Sequence, residues 1–189
     1  MTSSWKRVAP WAATSVLLAA AWGVNTVTPP EDVIQDGMIV AGRAGEPVMT
    51  RNLVVTVEDV RAARAVADPA GWSADGAWVI VDLHASSVDD QLGTTLALAE
   101  LTVGERTFRA TERAESLYRK PLVPGVARQG SVAFEVPPDA LSGPGVLRFS
   151  LASEPQMDGV IEIPIDLDDV AVEQRTTLLE TGWAEKTEP

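Results

Sequence analysis

Apolar and polar residues alternate along most of this chain between Leu53 and Leu167. A period of two is that of a β-strand with one buried face, and no period of 3.6 is sustained in this region. Short spacers rich in glycine, proline and charged residues separate the alternating segments. The predicted strands are residues 53–58, 77–86, 95–103, 107–111, 131–136, 146–152 and 160–167. The pattern predicts an all-β fold, an antiparallel β-sandwich of about seven strands.

The alternation also predicts which side of each strand is buried. In the strand at 77–86, the predicted core face is Val79, Val81, Leu83 and Ala85. The predicted outer face, solvated or partly covered, is Trp78, Ile80, Asp82 and His84. In the strand at 131–136, Val132, Phe134 and Val136 share one face, and we predict Phe134 near the centre of the core.

The N-terminus carries a run of twenty residues without a charge, residues 8–27, which follows Lys6 and Arg7. As a helix it would extend about 30 Å, the thickness of a bilayer core, and basic residues in front favour a cytoplasmic N-terminus. The sequence therefore predicts a single-pass cell-membrane protein that contacts lipid through this helix. The predicted parts are a cytoplasmic N-terminus (1–7), a transmembrane anchor (8–27), a linker (28–50), an extracytoplasmic sandwich (51–168) and a C-terminal strand or tail (169–189).

A cleavable signal peptide is the alternative interpretation of the same run. A basic start, an apolar stretch and small residues at Ala19 and Ala21 also fit a secretory signal, and cleavage would release a secreted protein. The chain has no cysteine, so it offers no site for a lipoprotein-type lipid and no disulfide. In either case the domain must fold by burial of its own core.

The exported part is strongly acidic. Both Lys6 and Arg7 precede the anchor, so 15 − 2 = 13 basic residues face 27 acidic ones after it, a net charge of 13 − 27 = −14. A surface of this charge disfavours nucleic acid and favours solubility and cationic partners.

Few side chains are available for catalysis. One histidine and no cysteine exclude a His/Cys zinc site and a cysteine nucleophile. His84 lies two residues from Asp82, too far along a strand for a direct dyad, and the sequence shows no charge partner for it. The paired acids at 89–90 and 166–169 lack the spacing of a calcium loop. We therefore predict a protein that is not an enzyme, with no catalytic, cofactor-binding or metal-binding residue.

Basic residues gather in one stretch of this acidic domain, between Arg106 and Arg128. Arginine and tyrosine are enriched at the energetic centres of protein interfaces, and this stretch falls in a predicted loop. The predicted partner-binding residues are Arg109, Arg113, Tyr118, Arg119 and Lys120. Ordinary pairing with neighbouring acids is the alternative explanation.

A family resemblance rests on two adjacent segments. Leu122-Val123-Pro124-Gly125 precedes Gly130-Ser131-Val132-Ala133-Phe134-Glu135-Val136-Pro137, and the strand beginning at Trp78 lies upstream. This pattern resembles the immunoglobulin-like exported domains of unknown function found on bacterial, actinobacterial-type lipoproteins and single-span membrane anchors. The resemblance implies an immunoglobulin-like sandwich and supplies no catalytic residue.

Together these features predict a membrane-anchored extracytoplasmic binding or accessory domain that docks onto another membrane or envelope protein. The alternative is an exported domain that binds a small ligand, a cation or a glycan. An envelope hydrolase that uses a pair of carboxylates is a remote third possibility, since the separation of two acids does not follow from sequence.

Overall fold

The computed structural model describes residues 37–88, 94–155 and 158–184. The chain divides after Gln35 into two units, and every described residue belongs to the second, Asp36–Pro189. The predicted anchor at 8–27 lies outside the described residues. Within the described ranges, no helix has the length and apolar character needed to cross a membrane.

Two β-sheets make up the described part of the chain, which contains no α-helix. Two short 3₁₀ helices, Pro138–Ala140 and Leu167–Asp169, join strands. The strands are β1 (Met38–Ala41), β2 (Val48–Met49), β3 (Leu53–Ala67), β4 (Ser73–Ser87), β5 (Leu98–Val103), β6 (Arg106–Arg109), β7 (Arg128–Val136), β8 (Pro144–Ser150), β9 (Gly159–Asp166), β10 (Val172–Glu173), β11 (Thr176–Thr177) and β12 (Gly182–Trp183). The predicted all-β sandwich is confirmed. The predicted number of strands is too low, because β1, β2 and β10 to β12 are too short to produce a visible alternation.

The chain passes several times between the two sheets. The first sheet has the order β1-β9-β8-β5-β6, and the second has the order β10-β3-β4-β7-β12, with β2 and β11 also paired to β3. The long strands pair antiparallel, as predicted. The short strands β1, β10 and β11 pair parallel to their neighbours. The chain thus crosses between sheets after β1, β4, β6, β7 and β9.

Parts of the segments predicted as linker and tail belong to the folded domain. In the predicted linker, β1 pairs with β9 and β2 pairs with β3. Gly42 lies so close to the Val48 side chain that an added Cβ would stand 2.1 Å from it, so these two strands approach each other only with glycine there. In the predicted tail, β10 to β12 contact the second sheet.

The main core lies between the two sheets and contains the predicted face of β4. Val79, Val81, Leu83 and Ala85 are buried, as predicted, and Phe134 on β7 lies among them. The first sheet contributes a facing layer of aliphatic and aromatic side chains. Its fully buried members are Leu101, Leu147, Phe149, Ile161 and Ile163.

The outer face of β4 differs from the prediction, because Trp78 and Ile80 are completely buried. They form a second apolar cluster with Ala63, Val66, Ala114, Ala133 and Leu178. The C-terminal strap, residues 172–184, covers this face: it pairs with β3 through β10 and β11, crosses the sheet at Leu178, and pairs with β7 through β12. The strap removes this apolar surface from water, so the second sheet buries apolar side chains on both of its faces.

Candidate functional site

The basic loop, residues 111–120, lies along β7, next to the residues of β7 that pair with β12. The Thr111 amide donates to the Ala133 carbonyl and the Leu117 amide donates to the Ser131 carbonyl, both at 2.8 Å. The Tyr118 hydroxyl donates to the Ala97 carbonyl at 3.1 Å, just before β5 of the first sheet. The loop therefore closes one side of the sandwich and has fixed contacts with both sheets.

Arg119 has a backbone conformation that favours glycine, with φ at +59°. It is the third residue of a tight turn in which the Lys120 amide donates to the Leu117 carbonyl at 3.1 Å. Glycine or asparagine normally occupies this position, and another residue there costs on the order of 1 to 3 kcal/mol. Of the residues described, Arg119 is the one non-glycine residue with a positive φ.

The Arg119 side chain contacts two neighbours within the basic loop. Its guanidinium lies over the Tyr118 ring, 5.2 Å from the centroid, and its Nε donates to Glu112 Oε1 at 2.6 Å. Tyr118 and the Glu112 carboxylate raise the pKa of the Arg119 guanidinium, which is therefore charged at every physiological pH. The turn thus holds a permanent positive charge against an aromatic face.

Each basic residue of the predicted site has a carboxylate partner. Arg113 Nη1 lies 3.1 Å from Glu135 Oε2, and the Lys120 ammonium contacts Glu115. Arg109 lies on β6 in the first sheet, where its Nε is 2.9 Å from Glu100 Oε1. Exposed pairs of this kind contribute about 0 to 1 kcal/mol each to stability. Breaking them to bind a partner would therefore cost little free energy.

The structure therefore brings four of the five predicted residues together, and Arg109 lies apart from them. Arg113, Arg119 and Lys120 are on the surface of the basic loop, whereas Tyr118 is buried. An open hollow of about 230 Å³ is lined by Glu112, Ala114, Glu115, Ser116, Tyr118, Arg119 and Lys120. Its wall is charged, with both signs interspersed. Partner binding at these residues stays a prediction.

Asp68 holds the basic loop to the turn between β3 and β4, and no sequence pattern singled it out. Its buried carboxylate accepts from the Trp72 amide at 2.8 Å and from the Glu115 amide at 2.6 Å. Desolvation raises the pKa of Asp68, but hydrogen bonds from several backbone amides together outweigh it and lower the pKa below its ordinary value. The folded protein therefore favours the ionised carboxylate.

Asp68→Ala is expected to lower the free energy of unfolding by about 1 to 3 kcal/mol at pH 7, because two amides lose their acceptor. A lowered pKa in the folded state gives stability that is present above the unfolded pKa of about 3.9 and is lost as pH falls through the folded value. Urea unfolding of both proteins between pH 7 and pH 3 tests this. The difference should shrink at the acid end, and a difference that grows on acidification would contradict the assignment.

His84 lies at the open end of the second sheet's outer face, beyond the C-terminal strap. The sequence showed no charge partner for it, but its Nδ1 lies 3.8 Å from Glu58 Oε1, because a bulge in β3 brings Glu58 alongside. Asp82 instead bonds to Arg61 and Ser131. A hollow of about 250 Å³ is lined by Glu58, Asp82, Leu83, His84, Gln129, Gly130, Leu179 and Glu180. Among the described residues, no three His, Asp or Glu side chains are placed to hold a metal ion.

No protein-family model matches this chain, and no curated protein matches it. The solved structure of a protein from Staphylococcus aureus subsp. aureus NCTC 8325, described as a "putative lipoprotein", is similar over 71% of this chain and 97% of that one. The two sequences are 8% identical and the TM-score is 0.49.

Proposed function

We propose that this chain is a membrane-anchored extracytoplasmic binding protein whose immunoglobulin-like domain docks onto another membrane or envelope protein. The uncharged run at 8–27 serves as the anchor, and the basic loop serves as the docking surface. The domain works by binding and does not catalyse a reaction. A tether in the membrane raises the local concentration of such a domain near a membrane partner.

The strand order supports the immunoglobulin-like part of this proposal. In the second sheet, β3, β4 and β7 are neighbours in the order of strands A, B and E of that fold. In the first sheet, β9, β8 and β5 are neighbours in the order of strands G, F and C, with β6 in the place of strand C′. The resemblance at residues 122–137 belongs to the same proposal, since those residues form a turn and β7.

The conformation of Arg119 carries the docking proposal. A glycine there would relieve the strained backbone, whereas arginine keeps a half-exposed guanidinium at this turn of the loop. Residues held in sparsely populated conformations concentrate at binding and catalytic sites. The Asp68 hydrogen bonds hold the loop in place, which reduces the entropy lost when a partner binds.

The partner's contact surface is acidic. A partner carboxylate would replace Glu112 or Glu115 as the acceptor of the Arg119 and Lys120 side chains, and half of the Arg119 side chain is already exposed for this exchange. Opposite charges across the interface speed encounter and orient the two proteins. The net negative charge of the rest of the domain repels an acidic partner from other faces, so the basic loop is favoured.

Reversing the charges of Arg113, Arg119 and Lys120 to glutamate is expected to reduce copurification of the membrane partner about tenfold or more, equivalent to at least about 1.4 kcal/mol. The fold should survive, since exposed substitutions shift stability by about 0.5 kcal/mol or less. The measurement is quantitative crosslinking and copurification from native membranes with each variant. Arg119→Gly should also weaken capture, while its backbone keeps the observed conformation.

A matched control is available elsewhere on the domain. Arg43, Arg64 and Arg175 reversed to glutamate give the same change in net charge away from the basic loop, and should copurify the partner normally. His84→Ala should also have no effect. Normal capture by the basic-loop reversal together with lost capture by His84→Ala would place the docking surface on the outer face of the second sheet.

The hollow beside His84 favours a second candidate function, binding of a small cationic ligand or a glycan. Its wall combines the Glu58 and Glu180 carboxylates, the Gln129 amide and the apolar side chain of Leu179. Mass spectrometry of the purified, then denatured, protein would reveal a retained small molecule. Loss of that molecule in Glu58→Gln and Glu180→Gln would support this function over protein docking.

A further inference from the structure

The folded domain begins at one end of the sandwich, called here the proximal end. The Met38 amide donates to the Asp158 carbonyl at 3.0 Å, where β1 starts beside β9. Asn52, at the start of β3, donates from its side chain to Asp158 at 2.9 Å and accepts from the Val88 amide at 3.0 Å. The proximal end therefore contains the start of β1, the start of β3 and the residue that follows β4.

An apolar turn lies at the same end. Val123 and Val126 form a bridge across Pro124 and Gly125, and this turn contacts Ser87 at the end of β4. The Gly125 amide donates to the Ser87 carbonyl at 3.4 Å, which places the turn next to Val88. The turn is thus a projection of the proximal end.

Trp183 extends this apolar surface. The residue after it, Ala184, donates its amide to the Ala127 carbonyl at 2.9 Å, directly after the turn. The Arg128 guanidinium lies over the Trp183 ring, 4.7 Å from the centroid. An aromatic ring and a cation thus lie side by side at the margin of the turn.

Large apolar side chains are exposed at this end to an unusual degree. Single exposed apolar residues are common, but a contiguous group marks an interaction surface. Of the nine large apolar residues that are exposed in the described part of the chain, five lie at the proximal end. Their exposed fractions are 61% for Met38, 40% for Val88, 37% for Val123, 45% for Val126 and 47% for Trp183.

Charge is distributed in the opposite sense. The distal end, which contains the turn between β5 and β6 and the two 3₁₀ helices, carries Glu105, Asp139, Asp166, Asp168 and Asp169. The proximal end carries Arg51, paired with Asp158 at 3.6 Å, the Arg128 guanidinium and the exposed Glu154, so these bases and acids are equal in number. An anionic lipid surface would therefore repel the distal end more strongly than the proximal end.

We propose that the proximal end of the sandwich rests on the lipid bilayer, with Val88, Val123, Val126 and Trp183 in the interface between headgroups and acyl chains. This inference rests on the proposed anchor at 8–27. Only nine residues, 28–36, separate that anchor from Gly37, and they reach at most about 30 Å. Tryptophan beside arginine, next to aliphatic side chains, is the composition of membrane-interface surfaces.

The absence of cysteine from the chain allows a direct test with single labels. The full chain is reconstituted in vesicles of phosphatidylcholine and phosphatidylglycerol at about 3:1, with an environment-sensitive fluorophore on Val126→Cys or, as the distal control, on Glu105→Cys. The Val126 label is expected to brighten at least about twofold and to be quenched by lipids brominated near the headgroup, because it lies in a medium of low polarity. The Glu105 label should keep the brightness that it has in water and should not be quenched by the brominated lipids.

Flotation of the same vesicles separates the two proposals. If the protein does not float with the lipid, both the anchor and this inference are wrong. If it floats but neither label brightens or is quenched, this inference alone is wrong. Shielding of the Val126 label in native membranes but not in pure lipid would assign the surface to a protein partner and also overturn it. Val123→Asp combined with Val126→Asp, followed with a label on Val88→Cys, should abolish the quenching while flotation persists.

Discussion

Replacing Phe134 with alanine is expected to lower the free energy of unfolding by about 3 to 5 kcal/mol. The ring is completely buried on β7, and it faces the core between the sheets opposite the first sheet's aliphatic layer. Its removal loses the transfer free energy of the ring and leaves a cavity that the two hydrogen-bonded sheets cannot close. Thermal melting should show a decrease in Tm of about 6 to 20 °C.

Phe108→Ala provides the matched control, because it removes the same ring from a half-buried position on the edge strand β6. We expect a smaller loss of stability than for Phe134→Ala, since water and the Arg106 guanidinium already contact the Phe108 ring. The protein must include the chain from Gly37 onward, since β1 and β2 complete the sheets. Equal losses for the two substitutions would contradict the position of Phe134 at the centre of the core.

The long strands could be predicted from sequence because each of them buries one face. Val79, Val81 and Leu83 alternate with other residue types for a physical reason: successive side chains of a strand point to opposite sides. The pattern also gave the antiparallel pairing, since no sustained period of 3.6 between the strands predicts the crossover helices that parallel strands usually need. These features depend on local sequence alone.

The cover over the outer face of β4 could not be predicted in the same way. The strap is built from strands of two residues, and an alternation of two residues is not a pattern. One signal was present: Trp78 and Ile80 are large and apolar, and a strand that is apolar on both faces is normally buried on both. The sequence thus indicated that a cover exists without indicating which segment supplies it.

The candidate site could likewise be predicted only in part. Clustering in sequence brought Arg113, Arg119 and Lys120 together, because they share one loop. Their partners depend on the tertiary fold: Glu135 is contributed by β7, and Asp68 reaches the loop from the turn after β3. The left-handed conformation of Arg119 had no signal, since arginine does not favour it.

Asp82→Ala is expected to lower the free energy of unfolding by about 3 to 5 kcal/mol, because the largely buried Arg61 guanidinium then keeps only the exposed Asp59 carboxylate, 3.9 Å from its Nε, as a counterion. The Arg61 Nη2 atom lies 2.9 Å from each carboxylate oxygen of Asp82, and Asp82 is only 7% exposed. The Ser131 hydroxyl donates to the same carboxylate. Chemical denaturation of the purified protein measures the loss.

The same substitution should also loosen the C-terminal strap. Arg61 donates to the Thr176 hydroxyl and to the Thr177 carbonyl, and the Ser131 hydroxyl accepts from the Leu179 amide at 2.8 Å. Without Asp82, the Arg61 guanidinium and the Ser131 hydroxyl can both reorient. Their hydrogen bonds to the strap therefore weaken before the main core does. Hydrogen exchange should accelerate at the Leu178 and Leu179 amides in Asp82→Ala, more than at amides within β8.

The double variant Arg61→Met with Asp82→Leu distinguishes the contribution of the ion pair from that of filling the buried space. Replacement of a buried ion pair by apolar side chains of similar volume is often neutral or stabilising, so the double variant should recover most of the loss seen in Asp82→Ala. Recovery without restored protection at Leu179 would show that the ion pair positions the strap more than it stabilises the sandwich. A double variant as unstable as Asp82→Ala would contradict this account, because it would mean that the hydrogen bonds from Arg61 to the strap supply the stability themselves.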